Sequence, residues 1–289
     1  MQILFNGLIS GFSIALLAVA FQSVYLPTRV FFIGLAGIYS LTPFLAHIVL
    51  ARGGGWPLAI VVSVAGAVAV SVLCEWANHA RLTRRQASDG IHLIASLGTY
   101  IVLVQVTAMF WGNETKSLSS GLGSLSRMGD VVVTGAQWTI LGAATLLLGG
   151  YALFLTRSDL GLRLRALADN PIQFALYGHN VDRHRLLAFC VAGLFAAVSS
   201  LVTAHDIGFD PYVGLPALLL GVVAVMVGGQ GSFAGPVLGA LLLGCLRAEV
   251  AWYWSSRWQE AVTFGLLALI LLLRPQGLLG RKARLEATT

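Results

Sequence analysis

Nine apolar stretches, at approximately 4–26, 30–50, 57–76, 91–111, 137–156, 186–205, 215–229, 233–248 and 260–273, take up most of this 289-residue chain. About 20 helical residues cross a ~30 Å hydrocarbon core, and several of the stretches are that long. Only 10% of the residues are charged, against about 25% in soluble domains, which excludes a water-soluble globular fold. A transmembrane barrel would alternate apolar and polar residues in ten-residue segments, and this chain does not. The expected architecture is an all-α polytopic membrane protein of eight to nine transmembrane helices, forming one domain over 1–289. Its 33 glycines suit membrane helices whose backbones approach closely.

The net charge of +6 is spread over several connections, as the positive-inside rule requires, and does not form a nucleic-acid patch. Cys74, Cys190 and Cys245 lie in apolar segments without paired or metal-type spacing. No Lys or Arg precedes the first apolar run, so it does not read as a cleavable signal. The histidines are scattered, and the sequence contains no G-x-S-x-G, H-E-x-x-H or Walker lysine. It is expected to be no enzyme, with no catalytic residue, metal or cofactor of its own. Glu75, Glu249 and Glu260 sit at segment ends, whereas an ion-coupled secondary transporter would place a carboxylate deep in the bundle. That transporter class stays open as an alternative, but energy is expected from elsewhere.

Charge is concentrated between Thr156 and Leu187. If this part is cytoplasmic and every segment spans, only Arg52, Lys116, Arg127, Arg247 and Arg257 of the 18 basic residues fall outside. Arg281, Lys282 and Arg284 then join the inner set, which puts the C-terminus in the cytoplasm. Within the charged part, Asp159–Asp169 reads as a helix with an apolar stripe of Leu160, Leu164 and Leu167, and Arg163 and Arg165 off that stripe. Asn170-Pro171 interrupts it, since a residue before proline is pushed away from helix. Pro171 then opens a second short helix, Ile172–Tyr177, which Gly178 closes. Two short helices are expected along the membrane surface, either as a plain interfacial hairpin or as a docking site for a soluble partner.

Segments 215–229 and 233–248 are short, and Gly228-Gly229-Gln230-Gly231-Ser232 separates them. They read as two spans or a re-entrant pair, with Pro216 and Pro236 near their starts. Gly231, Gly235 and Gly239 would share one face if helix continued from 231. Two explanations stand: close packing of small residues, or an unwound gate beside a translocation path.

Three ordered motifs carry a family resemblance. Arg165-Ala166-x-Ala168-Asp169-Asn170-Pro171, followed by Ala175-x2-Gly178, resembles the cytoplasmic loop of ABC importer permeases of the branched-chain amino-acid (LivH/LivM) type. Gly228-Gly229-Gln230-Gly231-Ser232-x2-Gly235-Pro236 resembles the Gly-Gly-x-Gly-Ser segment of that family, and Arg274-Pro275-Gln276-Gly277-Leu278 its C-terminal ending. The opening Asn6–Leu16 is similar to the start of the shorter of the two permease subunits. The resemblance implies a bacterial inner-membrane permease for branched-chain or other amino acids, or for urea, short amides or small carboxylates. It implies three kinds of partner: a second, different permease subunit, two cytoplasmic ATPase subunits that bind the ATP, and an external solute-binding protein. It assigns ATPase coupling to residues 157–185, with Arg163, Arg165, Ala166, Asp169, Asn170, Pro171 and Gly178. The gate would comprise Gly228, Gly229, Gly231, Ser232, Gly235 and Pro236. One departure stands out: Phe32-Ile33-Gly34-Leu35-Ala36 occupies the place of an Asn-Phe-Ala-His-Gly-like stretch and lacks its polar residues.

Overall fold

A computed structural model describes residues 2–118, 125–128 and 131–280. The assignment of Arg281, Lys282 and Arg284 to the inner side therefore falls outside the described residues. The first half of the chain forms α1 (Gln2–Thr28), α2 (Gly34–Ala51), α3 (Trp56–Cys74), α4 (Ala80–Arg84) and α5 (Asp89–Trp111). After a hairpin of β1 (Leu125–Met128) and β2 (Val131–Thr134) come α6 (Gly135–Arg157), α7 (Asp159–Asp169) and α8 (Pro171–Leu176). The last part holds α9 (Val181–Ile207), α10 (Gly214–Gly228), α11 (Ala234–Tyr253) and α12 (Gln259–Leu273).

Helix α1 carries no charged side chain, and from Ala15 to Val24 it is buried on every side. A helix apolar all round belongs in the middle of a bundle, and α1 packs most extensively on α11 and α9, then on α10. Gly7 and Gly11 bring its backbone against α11, where an added Cβ at Gly7 would come within 2.8 Å of the Cys245 Cα. The outer faces of α3, α5 and α12 leave Val61, Ile94, Val102, Met109 and Leu272 uncovered, as expected of surfaces that meet lipid or another membrane protein.

Eight helical stretches are long and apolar enough to cross a membrane. Helix α10, with 15 residues, is only about 22 Å long at 1.5 Å per residue. The described chain thus has eight full-length spans and one shorter apolar helix, within the eight to nine expected. Two features stand out against the sequence reading. The third span does not stop near residue 76 but runs through a π-turn, Glu75–His79, into α4, so that Arg81 and Arg84 stand on helix. The connection between α5 and α6 contains a β-hairpin that hydropathy did not reveal, with Leu125 opposite Thr134 and Met128 opposite Val131; the β-branched run Val131–Thr134 suits a strand.

Contacts between connections sort them into two ends of the bundle. At one end Arg84 pairs with Asp182 at 3.0 Å, and the Tyr151 ring of α6 meets Phe233 beside the α10–α11 turn. At the other end the amides and carbonyls of Lys116 and Phe209 bond reciprocally at 2.8 Å, and Gln259 Nε2 donates to the Arg247 carbonyl at 3.1 Å.

Candidate functional site

The charged segment folds as two short helices because local capping dictates it. The Ser158 hydroxyl accepts from the Gly161 amide to start α7. Asn170 Oδ1 then accepts from the amides of Ile172 and Gln173, at 3.1 and 3.0 Å, to start α8 with Pro171 in its first turn. Gly178, at φ +80°, ends it, and Asn180 Oδ1 caps α9 through the Arg183 amide. The buried stripe of α7 is Gly161, Leu164 and Leu167, whereas Leu160 is exposed. This corrects the expected stripe by one residue: α7 folds back so tightly on the end of α6 that only a glycine fits at 161, where a Cβ would lie 2.6 Å from the Leu155 Cα.

Helix α8 is anchored by a single side chain. Phe174 is buried against His179 and His184, with ring centroids 4.9 and 5.0 Å apart. Ile172, Leu176 and Tyr177 point the other way and are 74%, 81% and 81% exposed. Between α7 and α8 opens a cleft of about 570 Å³ lined by Asp159, Arg163, Ala166, Asn170, Phe174 and Tyr177. Arg163, Arg165, Ala166 and Asp169 are exposed along α7. A surface that combines greasy side chains, arginines and a cleft outside the bundle is suited to receiving a protein partner.

The second group of residues surrounds the break between α10 and α11. Helix begins again only at Ala234, so Gly231 shares no helix face with Gly235 and Gly239. Close packing and glycine-dependent backbone both occur at this break, at different positions. Gly228, Gly235 and Gly239 make a close crossing, in which a Cβ on Gly235 would meet the Gly228 carbonyl oxygen at 2.9 Å. Gly229 and Gly231 have φ of +102° and +94°, values that side chains resist. Ser232 Oγ accepts from the Gly235 amide at 3.0 Å, and Pro236 is buried in the first turn of α11.

The Arg274–Gly280 ending folds onto this break. The amides of Leu278 and Leu279 donate to the carbonyls of Val227 and Gly228, both at 2.9 Å. They satisfy carbonyls that the end of α10 would otherwise leave unpaired. Gln22, buried in α1, adds a third tie, donating from Nε2 to the Ser232 carbonyl at 3.0 Å. Two motifs that are separate in sequence therefore form one structure, which sequence reasoning did not anticipate.

Comparison with known proteins fits this architecture. Residues 3–271 match the family described as branched-chain amino acid transport system / permease component. The chain belongs to this family. It is 30% identical to the high-affinity branched-chain amino acid transport system permease protein BraD of Pseudomonas aeruginosa, over 97% of this chain and 96% of that one. It is 27% identical to the corresponding protein LivH of Escherichia coli, with the same coverage. The xylose transport system permease protein XylH of Haemophilus influenzae is 26% identical over 85% of this chain and 63% of that one, so the family reaches beyond amino-acid permeases. PsaBC from Streptococcus pneumoniae, solved in complex with Fab, has the same fold: the TM-score is 0.53 over 96% of this chain and 93% of that chain, at 12% identity.

One polar cluster went unrecognised in the sequence. Glu75 is buried, and Arg185 reaches it from α9 with two hydrogen bonds, Nε to Oε1 at 2.6 Å and Nη2 to Oε2 at 3.3 Å. One π-turn further on, His79 Nδ1 lies 3.2 Å from His92 Nδ1 of α5, a contact in which one ring donates and the other accepts. Phe32, in the stretch that departs from the family pattern, packs on His79 and Phe189. Neither spacing nor local motif marks these residues, because 110 positions separate Glu75 from Arg185. The only hint was that a carboxylate and an arginine each adjoin an apolar run.

Proposed function

We propose that the whole chain, 1–289, is one transmembrane domain and one permease subunit of a bacterial inner-membrane, binding-protein-dependent ABC importer for branched-chain or other amino acids. It pairs with a second, non-identical permease subunit. An external solute-binding protein delivers the solute, and two cytoplasmic ATPases bind ATP and drive transport. The chain itself catalyses no reaction and holds no cofactor. Residues 157–185 form the coupling loop, with Arg163, Arg165, Ala166, Asp169, Asn170, Pro171 and Gly178 at the ATPase. The loop and the C-terminus face the cytoplasm. The break at Gly228, Gly229, Gly231, Ser232, Gly235 and Pro236 serves as a fixed point about which α10 and α11 shift during alternating access.

The observation that carries this reading is α8, held to the bundle by Phe174 while Ile172, Leu176 and Tyr177 project outward. An anchored helix with a greasy outer face transmits a push from a soluble partner as a rigid body. The names of the amino-acid permeases that align over 97% of this chain support the solute class. The test is to co-express the permease pair with the ATPases and assay proteoliposomes for ATP-dependent uptake of leucine, isoleucine and valine in the presence of the binding protein. Uptake that requires ATP and survives collapse of the proton gradient is expected. Absence of ATPase from the purified permease, or uptake abolished by the collapse, would overturn the reading.

A further inference from the structure

We infer that the buried Glu75–Arg185 pair, with the His79–His92 contact one π-turn further on, carries displacement of the coupling segment into the helix bundle, which makes Glu75 and Arg185 positioning residues for transport. The inference rests on the docking role proposed for residues 157–185. Arg185 is the last residue of that segment and already stands on α9, shortly after the Asn180 cap that starts the helix. Its guanidinium holds Glu75 by two nitrogens, and a forked contact of this kind fixes register as well as distance. Beyond the pair, α3 and α9 are joined side by side. The Ser71 hydroxyl donates to the Phe189 carbonyl at 2.7 Å, and Gly193 lets α9 approach to where an added Cβ would be 3.0 Å from the Val68 Cα.

The chain departs from α-helix at this same place. The π-turn runs from Glu75 to His79, and such turns recur at functional sites. Above it α3 is bonded to α9. Within it His79 is bonded to His92 of α5, and four residues along α5 from His92, Ser96 Oγ accepts from the Gly34 amide that opens α2. A shift of α9 is thereby passed to α3, α5 and α2 through directional bonds. Apolar packing would hold α3 to α9 at lower desolvation cost, but would let the helices slide. Charges inside a membrane-spanning bundle are costly enough to call for a role, and this pair stands where the coupling segment enters the bundle.

The complete importer, reconstituted in proteoliposomes with radiolabelled leucine as probe, tests the idea. Wild type is compared with Glu75→Gln, Arg185→Lys and the neutral double variant Glu75→Gln/Arg185→Gln, reading ATPase copurification, ATP hydrolysis and leucine accumulated per ATP. Glu75→Gln is expected to keep the ATPases and hydrolysis while leucine per ATP falls about tenfold, the size of a typical coupling free energy. Arg185→Lys keeps the charge but not the fork, and should fall between the two. The inference is overturned if uptake and hydrolysis drop in proportion, or if the neutral double variant couples as well as wild type. Loss of all three variants from the membrane would assign the pair to folding alone and overturns it equally. The wild-type arm checks the docking reading separately: if wild-type permease binds no ATPase, that reading fails whatever the variants do.

Discussion

Replacing Gly229 with alanine should release the C-terminal ending from α10 without unfolding the bundle. Residue 229 sits at φ +102°, and a side chain in left-handed backbone costs about 1–2 kcal/mol. The added Cβ would also lie 2.9 Å from the Gln276 carbonyl oxygen and from the Gly280 Cα, so the 276–280 turn must lift. Lifting it breaks the two bonds from the Leu278 and Leu279 amides, each worth about 1 kcal/mol net. The combined penalty is roughly 3–4 kcal/mol, and it falls on the docked ending because that segment opens more easily than the core. Hydrogen exchange at the amides of Leu278 and Leu279 should therefore accelerate by roughly two to three orders of magnitude, at about 1.4 kcal/mol per factor of ten. Gly231→Ala provides the control. It has comparable backbone strain, at φ +94°, but open space around the Cβ, so exchange at 278 and 279 should stay near wild type. Unchanged exchange in Gly229→Ala, or equal acceleration in both variants, would refute the reasoning.

Ala166→Trp and Gly178→Val should each abolish ATPase copurification while the permease stays in the membrane, because Ala166 lines the α7–α8 cleft and Gly178 sits at φ +80°; normal binding by both would remove the coupling assignment. Leu176→Ser should leave the melting temperature unchanged, since this side chain is 81% exposed and surface substitutions shift stability by within about 0.5 kcal/mol, yet weaken ATPase binding in a pull-down. Phe174→Ala should instead loosen α8 by about 3–5 kcal/mol, the usual cost of deleting a buried phenylalanine, seen as faster proteolysis within 171–180. In a background lacking the three native cysteines, Arg84→Cys and Arg165→Cys should label only from the cytoplasm and Asp210→Cys only from outside; external labelling at 165 would invert the topology.

What the sequence alone determined is what depends on one short stretch of chain at a time. Whether a run of residues crosses a bilayer depends on its own hydropathy, so the spans emerged with ends displaced by a few residues. The ends of α7 and α8 were legible for the same reason. Asn170-Pro171 and Gly178 act on the backbone within two or three residues of themselves, and no distant partner is needed. The glycines at 228–239 were legible as special but not as to why, because positive φ and close crossing leave the same letter in the sequence. The tertiary structure alone decided which glycine serves which purpose: a close crossing exists only once α10 lies against α11. It also decided that the Arg274–Gly280 ending seals the break, that the buried stripe of α7 includes 161 and not 160, and that Arg185, counted as a loop charge, is buried on Glu75. Membrane insertion sorts segments by composition, whereas pairing of buried polar groups depends on which helices become neighbours, and that is settled only by packing the whole bundle.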